Sequence, residues 1–361
     1  MSTPETNRGS DKYSWIANEL RGQIASGKFA PGSQLPQRDE LEETFNVSKV
    51  TLQRAMNLLI EDGFVDATRR KGSFVVPNPP HLYRYALAFQ KKPTGDESWL
   101  RFWTALSNEA SKLEKSHPCR FFTFYGIDGH TDTEDYHDLE REVREHRLAG
   151  VIYVATQSEV PDIPVLRESN LPRMTVKSKP QPGWPALTIH TDTLICKALD
   201  YVVARGRKRV AFITPPHIAQ VRHDFILQEI AARHLTSHIY WLQGIGLEAP
   251  ALARNCVHLM MHPGQNERPD ALVITDDNLV ESATGGLVAA GVRVPQEMDV
   301  VAHANFPWLT PSIVPAKRLG YDVSAIIKLC RECIDRQRRG ESVPAVTEIT
   351  PLFEDEIGSY P

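Results

Sequence analysis

Between Leu35 and Val76 the spacing of apolar positions changes from helical to extended. Leu41 and Phe45 fall four apart, as on one side of a short helix that Pro36 can begin. After Val47, the residues Leu52, Ala55, Met56, Leu59 and Ile60 recur at helical spacing on one face. Ser48 suits the N-cap of that second helix, and Gly63, after Asp62, suits the left-handed position beyond its end. Phe64-Val65 and Phe74-Val75-Val76 then read as two strands around a tip of Arg69, Arg70, Lys71 and Gly72. Upstream, Tyr13, Ile16, Leu20 and Ile24 mark one more helix. Short helices joined by Asn46-Val47-Ser48 and followed by a hairpin predict a winged helix-turn-helix over residues 1–76.

Pro77, Pro79 and Pro80 interrupt the pattern and predict a stiff linker over residues 77–84. From Tyr85 onward apolar runs alternate with amphipathic stretches. YALAFQ, CRFFTFYGI, GVIYVA, PRMTVK, ALTIHTD, RVAFIT, HIYWLQ, DALVIT and DVVAHAN read as strands. Between them SWLRFWTALSNEASKLEK, and stretches over 136–147, 193–205, 220–234, 251–261, 279–291 and 323–339, read as helices. Such alternation predicts an α/β domain over residues 85–361, with two parallel sheets covered on both faces.

The polar face of the second helix gives the first part a chemistry. Lys49, Gln53, Arg54 and Asn57 can hydrogen-bond base edges and phosphates. Arg38, Ser48, Thr51 and the wing residues Arg70, Lys71 and Gly72 complete the expected DNA contacts. Composition narrows this expectation. The chain of 361 residues carries 41 Lys and Arg against 45 Asp and Glu, a net charge of −4. DNA affinity must therefore come from cations gathered on one face. No apolar run reaches the length of a membrane span, the polar N-terminus MSTPETNRGSDK is unlike a signal peptide, and five cysteines suggest no disulfide framework. A cytoplasmic protein without membrane partners is expected.

From Tyr13 on, SGKFAPGSQLPQRDEL, FNVSKVTLQRAM, EDGFV and KGSFVV resemble the DNA-binding domain of the GntR family of bacterial regulators. The resemblance implies a homodimer on a two-fold symmetric operator, with Lys49 and Gln53 where the family often has base-reading arginines and Gly72 as the wing glycine. Asp39 stands where many members have arginine, so the usual operator sequence does not carry over. ARGRKRVAFIT and RPDALVITDDNLVESATGGLVAAGVRVPQEMDVVAHANF resemble the LacI/GalR family. That likeness implies a two-lobed, periplasmic-binding-protein-like sensor with a small ligand, usually a sugar, between its lobes. Arabinose-type repressors have the same combined architecture.

A polyol site calls for short charged acceptors, an arginine or asparagine donor and an aromatic face, at the C-terminal ends of strands. By the resemblance, Asp277 after DALVIT is the ligand aspartate, and Arg222 and Asp192 match further polar contacts. Asn305 stands where the family often has aspartate. Trp99, Trp103, Trp184, Trp241 and Trp308 compete for the stacking place, with Trp103 and Trp308 carried forward. The plainer alternatives are helix N-capping for Asp277 and Asp192 and a surface ion pair for Arg222.

Other signals lead elsewhere. GQIASGK at 22–28 lacks the serine or threonine of a phosphate loop, since Phe29 follows, and it ends a helix. Cys330 and Cys333 have no second pair to complete a zinc site, and Cys333 continues an apolar stripe. No HExxH or GxSxG motif occurs, and RQRRG at 336–340 suits a solvated helix C-terminus. The expected function is a DNA-binding repressor controlled by a sugar-like effector, without cofactor, metal or catalysis. The rival is a winged helix fused to an enzyme-like domain acting on a small metabolite.

Overall fold

The computed structural model describes residues 8–68, 72–93, 99–155, 162–168, 170–177 and 184–358. Helices α1 (Arg8–Ala25), α2 (Arg38–Phe45) and α3 (Lys49–Glu61) precede the antiparallel hairpin β1 (Val65–Thr68) and β2 (Gly72–Val75). The expected apolar positions build the core: Ile16, Leu20, Ile24, Leu41, Leu52, Ala55, Met56 and Leu59 are buried with Phe64 and Val75. Ile60 is the exception at 38% exposed. At 100° per residue it falls about 90° from the centre of the stripe formed by its four neighbours. Gly63 has φ 75°, the left-handed position expected of it.

The alternating part continues with β3 (Arg84–Phe89), α4 (Arg101–Ser116), β4 (Arg120–Phe124), α5 (Glu134–Arg144), β5 (Gly150–Val154), β6 (Arg173–Lys177), β7 (Ala186–Ile189) and α6 (Thr191–Ala204). Then follow β8 (Val210–Thr214), α7 (Pro216–Val221), α8 (His223–Ala232), β9 (Leu242–Gly244), α9 (Ala251–Met260), β10 (Ala271–Ile274) and α10 (Val280–Ala289). The chain closes with β11 (Asp299–Phe306), β12 (Lys317–Asp322), α11 (Val323–Arg338), β13 (Val346–Ile349) and β14 (Leu352–Phe353).

Two six-stranded sheets result, ordered β13-β7-β6-β5-β3-β4 and β14-β12-β11-β10-β8-β9. β3 runs parallel to β4 and β5, and β8 to β12 pair in parallel, with β14 antiparallel at the edge. Strands β5, β8 and β10 are buried along their whole length, which is why they read as unbroken apolar runs. Ala253 and Val257 of α9 and Ala283 and Leu287 of α10 pack with Ile213, Leu272 and Ile274 of the second sheet.

Four details depart from the sequence pattern. HIYWLQ is divided: Ile239–Trp241 form a 3₁₀ turn whose Trp241 ring is completely buried, and only Leu242 and Gln243 enter β9. The helix expected over 220–234 is broken at Arg222, between α7 and α8. Strand β12 was not legible: its Gly320 is required, since a Cβ there would lie 1.7 Å from the carbonyl oxygen of Ala304 on β11. Short β13 and β14, half exposed, left no apolar signature either.

The chain divides into two compact units, Met1–Gln90 with Ser111–Met174 and Arg331–Val343, and Lys91–Ala110 with Thr175–Cys330 and Pro344–Pro361. The winged helix belongs to the first. Within that unit the expected linker is packed: Pro79, Pro80 and His81 are buried, and the His81 ring stacks on Phe64 with centroids 6.0 Å apart. Arg338, expected in solvent, donates Nη1 to the carbonyl oxygens of His81 at 3.2 Å and Leu82 at 2.9 Å. Cys330 and Cys333 are both buried on α11. Among the described residues no helix is long and apolar enough to cross a membrane, and no cluster of His, Cys, Asp or Glu could hold a metal.

Candidate nucleic-acid interface and effector site

The turn between α2 and α3 is set by local hydrogen bonds. Gln37 caps α2, and its backbone N–H donates to Glu40 Oε2 at 3.1 Å. Asn46 ends α2 at φ 50°, the left-handed conformation that asparagine tolerates. Ser48 then caps α3, its Oγ accepting from the Thr51 N–H at 3.4 Å. Ser48 was expected at the DNA; its hydroxyl is occupied by this cap and by Thr51 Oγ1 at 3.1 Å.

The remaining expected DNA contacts differ in freedom. Lys49 and Arg38 are exposed, each at the first residue of its helix. Gln53 is half-buried and donates Nε2 to Asn57 Oδ1 at 2.7 Å, which pre-orients two amides on one face. The Arg54 guanidinium lies 6.0 Å from the Tyr13 ring of α1, so part of its charge is directed at an aromatic face. Gly72 begins β2 at φ 107°, and a Cβ there would sit 2.6 Å from Gln34 Nε2. Arg70 and Lys71 lie outside the described residues. Val50, 64% exposed beside Lys49, was not singled out in the sequence; an exposed apolar residue there suits a thymine methyl.

The second site forms at the C-terminal ends of β8, β10 and β11. Thr275, just past β10, donates to Thr214 Oγ1 at the end of β8 at 2.6 Å. Asp276, not Asp277, caps the following turn, accepting from the Asn278 N–H at 2.9 Å. Asp277 is thereby released from capping and buried, with 3% of its side chain exposed. Its Oδ2 accepts from Asn305 Nδ2 at 2.8 Å and Thr310 Oγ1 at 3.4 Å. Its Oδ1 is less engaged, 3.5 Å from Asn278 Nδ2 and 3.9 Å from His303 Nδ1. Burial pushes the carboxyl well above its ordinary range, opposed by His303. Asn305 Oδ1 and His303 Nδ1 are buried without hydrogen-bond partners. The cluster thus keeps unpaired polar atoms beside one half-free carboxylate oxygen.

The other expected effector residues fall on both sides of this cluster. Arg222 Nε and Asp192 Oδ1 form an ion pair at 2.6 Å between the end of α7 and the first turn of α6. Tyr321 links the two groups: its ring is 5.6 Å from His303, and its hydroxyl donates to the His190 carbonyl oxygen at 3.1 Å, beside Asp192. On the far side, Trp308 is 42% exposed and donates Nε1 to Glu109 Oε1 at 2.9 Å. Trp103 offers no open face: it is 2% exposed and packs edge-on to Trp99 at 4.9 Å. Its stacking role is therefore corrected to packing, since its ring fills the buried side of α4. Trp241 is wholly buried.

Sequence reasoning missed His303, Glu109, Thr310 and Tyr321. Glu109 alone had a local signal, an acidic residue three positions after Leu106 on the buried stripe of α4. The others depend on which strands become neighbours.

Comparison with known proteins follows this division. Residues 12–75 match the family described as bacterial regulatory proteins, gntR family, and residues 199–351 match the periplasmic binding protein-like domain. The chain is 21% identical over 378 aligned positions to the arabinose metabolism transcriptional repressor of Halalkalibacterium halodurans, covering 96% of this chain and 95% of that one. It is 36% identical over 63 residues to the mannosyl-D-glycerate transport/metabolism system repressor MngR of Escherichia coli, spanning 18% of this chain and 26% of that protein. Among solved structures, a LacI family transcriptional regulator from Lactobacillus casei with bound glucose superposes with TM-score 0.54 at 17% identity, over 75% of this chain and 98% of that one. The same regulator with bound sucrose gives TM-score 0.56 at 19% identity, again over 75% and 98%. At these identities the structural likeness is one of fold.

Proposed function

We propose that this chain, a GntR-type helix-turn-helix domain followed by a periplasmic-binding-protein-like domain, is a transcriptional repressor whose operator binding is controlled by a sugar. The winged helix reads a two-fold symmetric operator as a homodimer in the cytoplasm. Lys49 and Gln53 reach base edges, Val50 contacts a thymine methyl, and Arg38 and the wing cations Arg70 and Lys71 hold phosphates. A single winged helix makes too small a contact for tight specific binding, which supports pairing.

The observation that carries the sensor part is the carboxylate of Asp277, held by Asn305 and Thr310 on one oxygen and only weakly engaged, by Asn278, on the other. A sugar hydroxyl can donate to Oδ1, and a second hydroxyl can serve the unpaired Asn305 Oδ1. The exposed Trp308 ring offers a face for the sugar's C–H groups. Arg222 and Asp192 extend the polar line at its other end. A relative aligned along nearly the whole chain and named as a repressor of arabinose metabolism supports a carbohydrate effector.

The test is operator affinity of wild type and Asp277→Asn, with and without a sugar found by thermal-shift screening. Both proteins should bind operator equally without sugar, and only wild type should respond. A hydrogen bond to a charged group contributes about 1.5–3 kcal/mol, so sugar affinity should fall at least about tenfold. An unchanged response would remove Asp277 from the site, and chemical conversion of the sugar would overturn the sensor reading.

A further inference from the structure

Glu109 stands in the buried stripe of α4 with Trp103, Leu106, Ala110 and Leu113, and is itself 3% exposed. Leucine would meet the packing there, and a buried carboxylate is costly unless donors meet it. The indole Nε1–H of Trp308 donates to Glu109 Oε1 at 2.9 Å. The first half of α4, through Ala110, belongs to the second unit, and its first turn also grips the Asp277 motif. There the Arg101 N–H donates to Asn278 Oδ1 at 3.2 Å, and Arg101 Nη2 lies 3.5 Å from Glu281 Oε2. Helix α4 thus meets both the turn that follows Asp277 and the loop that carries Trp308.

That loop is anchored at both ends. The Trp308 N–H donates to the Asn305 carbonyl oxygen at 2.7 Å, and the side chains of Asn305 and Thr310 both donate to Asp277 Oδ2. Arg318 Nη2 holds the Thr310 carbonyl oxygen at 2.8 Å. Between these anchors Pro307, Trp308 and Leu309 are exposed. The backbone leaves open the direction of the Trp308 ring, which two side-chain torsions set. The indole has one donor, and a bond from it to a carboxylate selects one direction. We infer that Glu109 is a positioning residue, whose carboxylate fixes the Trp308 ring in advance as the stacking face for the sugar's C–H groups. The inference rests on the sugar reading of the Asp277 site. Ordering a free side chain on binding costs affinity, so a ring already set contributes about threefold to tenfold. Buried in α4, Glu109 acts through Trp308 and not by touching the sugar.

The experiment is a double-mutant cycle in the full chain, read by calorimetry with the sugar found in the thermal-shift screen. Trp308→Phe keeps an aromatic face and loses the N–H; Glu109→Leu keeps the packing and loses the acceptor; Glu109→Gln keeps an acceptor oxygen. The first two should each weaken sugar binding about threefold to tenfold, and the double variant no more than either alone. Glu109→Gln should stay within about twofold of wild type, and operator affinity without sugar should be unchanged throughout. A second reading needs no sugar: the indole N–H resonance of Trp308, assigned by its loss in Trp308→Phe, should exchange slowly with solvent in wild type and Glu109→Gln and fast in Glu109→Leu. Additive losses in the double variant, or sugar affinity unmoved in Glu109→Leu despite a loss of stability, would overturn the inference. If Asp277→Asn abolishes sugar binding in that last case, the sugar reading stands without Glu109. If no sugar binds wild type, the sensor reading falls and this inference with it.

Discussion

Asp62 at the end of α3 is a strong point at which to perturb the first unit. Its carboxylate pairs with Arg21 of α1 through Oδ2 and with Arg147 through Oδ1 at 2.8 Å. Arg147 also pairs with Glu145 and with Glu142 at 3.4 Å, and Glu142 holds Arg84 of β3 at 2.7 Å. Removing Asp62 as Asp62→Asn leaves these second partners in place for Arg147. Arg21 has no such reserve: its side chain is 3% exposed, and its next carboxylate, Glu145, is 4.0 Å away. An uncompensated buried charge costs about 3–5 kcal/mol, and the slight exposure of Asp62 argues for the lower end, about 3. Hydrogen exchange in the full chain reads this directly, as amides of α1 and α3 should open roughly a hundredfold more often. Removing the stranded charge as well, in Arg21→Met with Asp62→Asn, should restore most of the protection, because a buried pair replaced by apolar volume is often neutral. Less than a threefold change in the single variant, or additive losses in the double variant, would refute the argument.

Three further outcomes are expected. His81 is neutral in the fold, with its pKa lowered by burial from 6.5 to about 4, so the unfolded chain binds its proton first. Its stabilising contribution is fully present above pH 6.5 and lost as pH falls towards 4, about 3 kcal/mol in all; denaturant titrations at pH 7, 5 and 4 should show this drop, flattened in His81→Gln. Gln53→Ala should relax base preference at one position per half-site at a cost of about 1–3 kcal/mol, whereas Arg70→Ala should reduce the salt slope of operator binding by about one; equal effects on all sequences for Gln53→Ala would place it on the backbone. Trp308→Ala should weaken sugar binding with little change in stability, while Trp103→Ala should cost about 3–5 kcal/mol of stability, measured by unfolding; the reverse assignment would reinstate Trp103 as the stacking face.

Local physics made the winged helix readable residue by residue. The stripe of Leu52, Ala55, Met56 and Leu59, the cap at Ser48 and the left-handed Gly63 all depend on neighbours a few positions away, and all three appear as the sequence implies. Unbroken apolar runs likewise marked β5, β8 and β10, because strands buried on both faces tolerate little else. What the sequence could not carry was which strand ends meet. Asp277 stood out after DALVIT, but only the parallel order β8-β10-β11-β12 brings Asn305, Thr310, His303 and Tyr321 around it or into line with it. Gly320 hid β12 because its lack of a side chain, which weakens a strand signal, is what lets β12 lie against β11. The prolines at 77–80 read as a spacer by composition, yet tertiary packing buries Pro79, Pro80 and His81. Periodicity reports which face of an element is buried; what covers that face is settled by partners distant in sequence, through sheet order and packing.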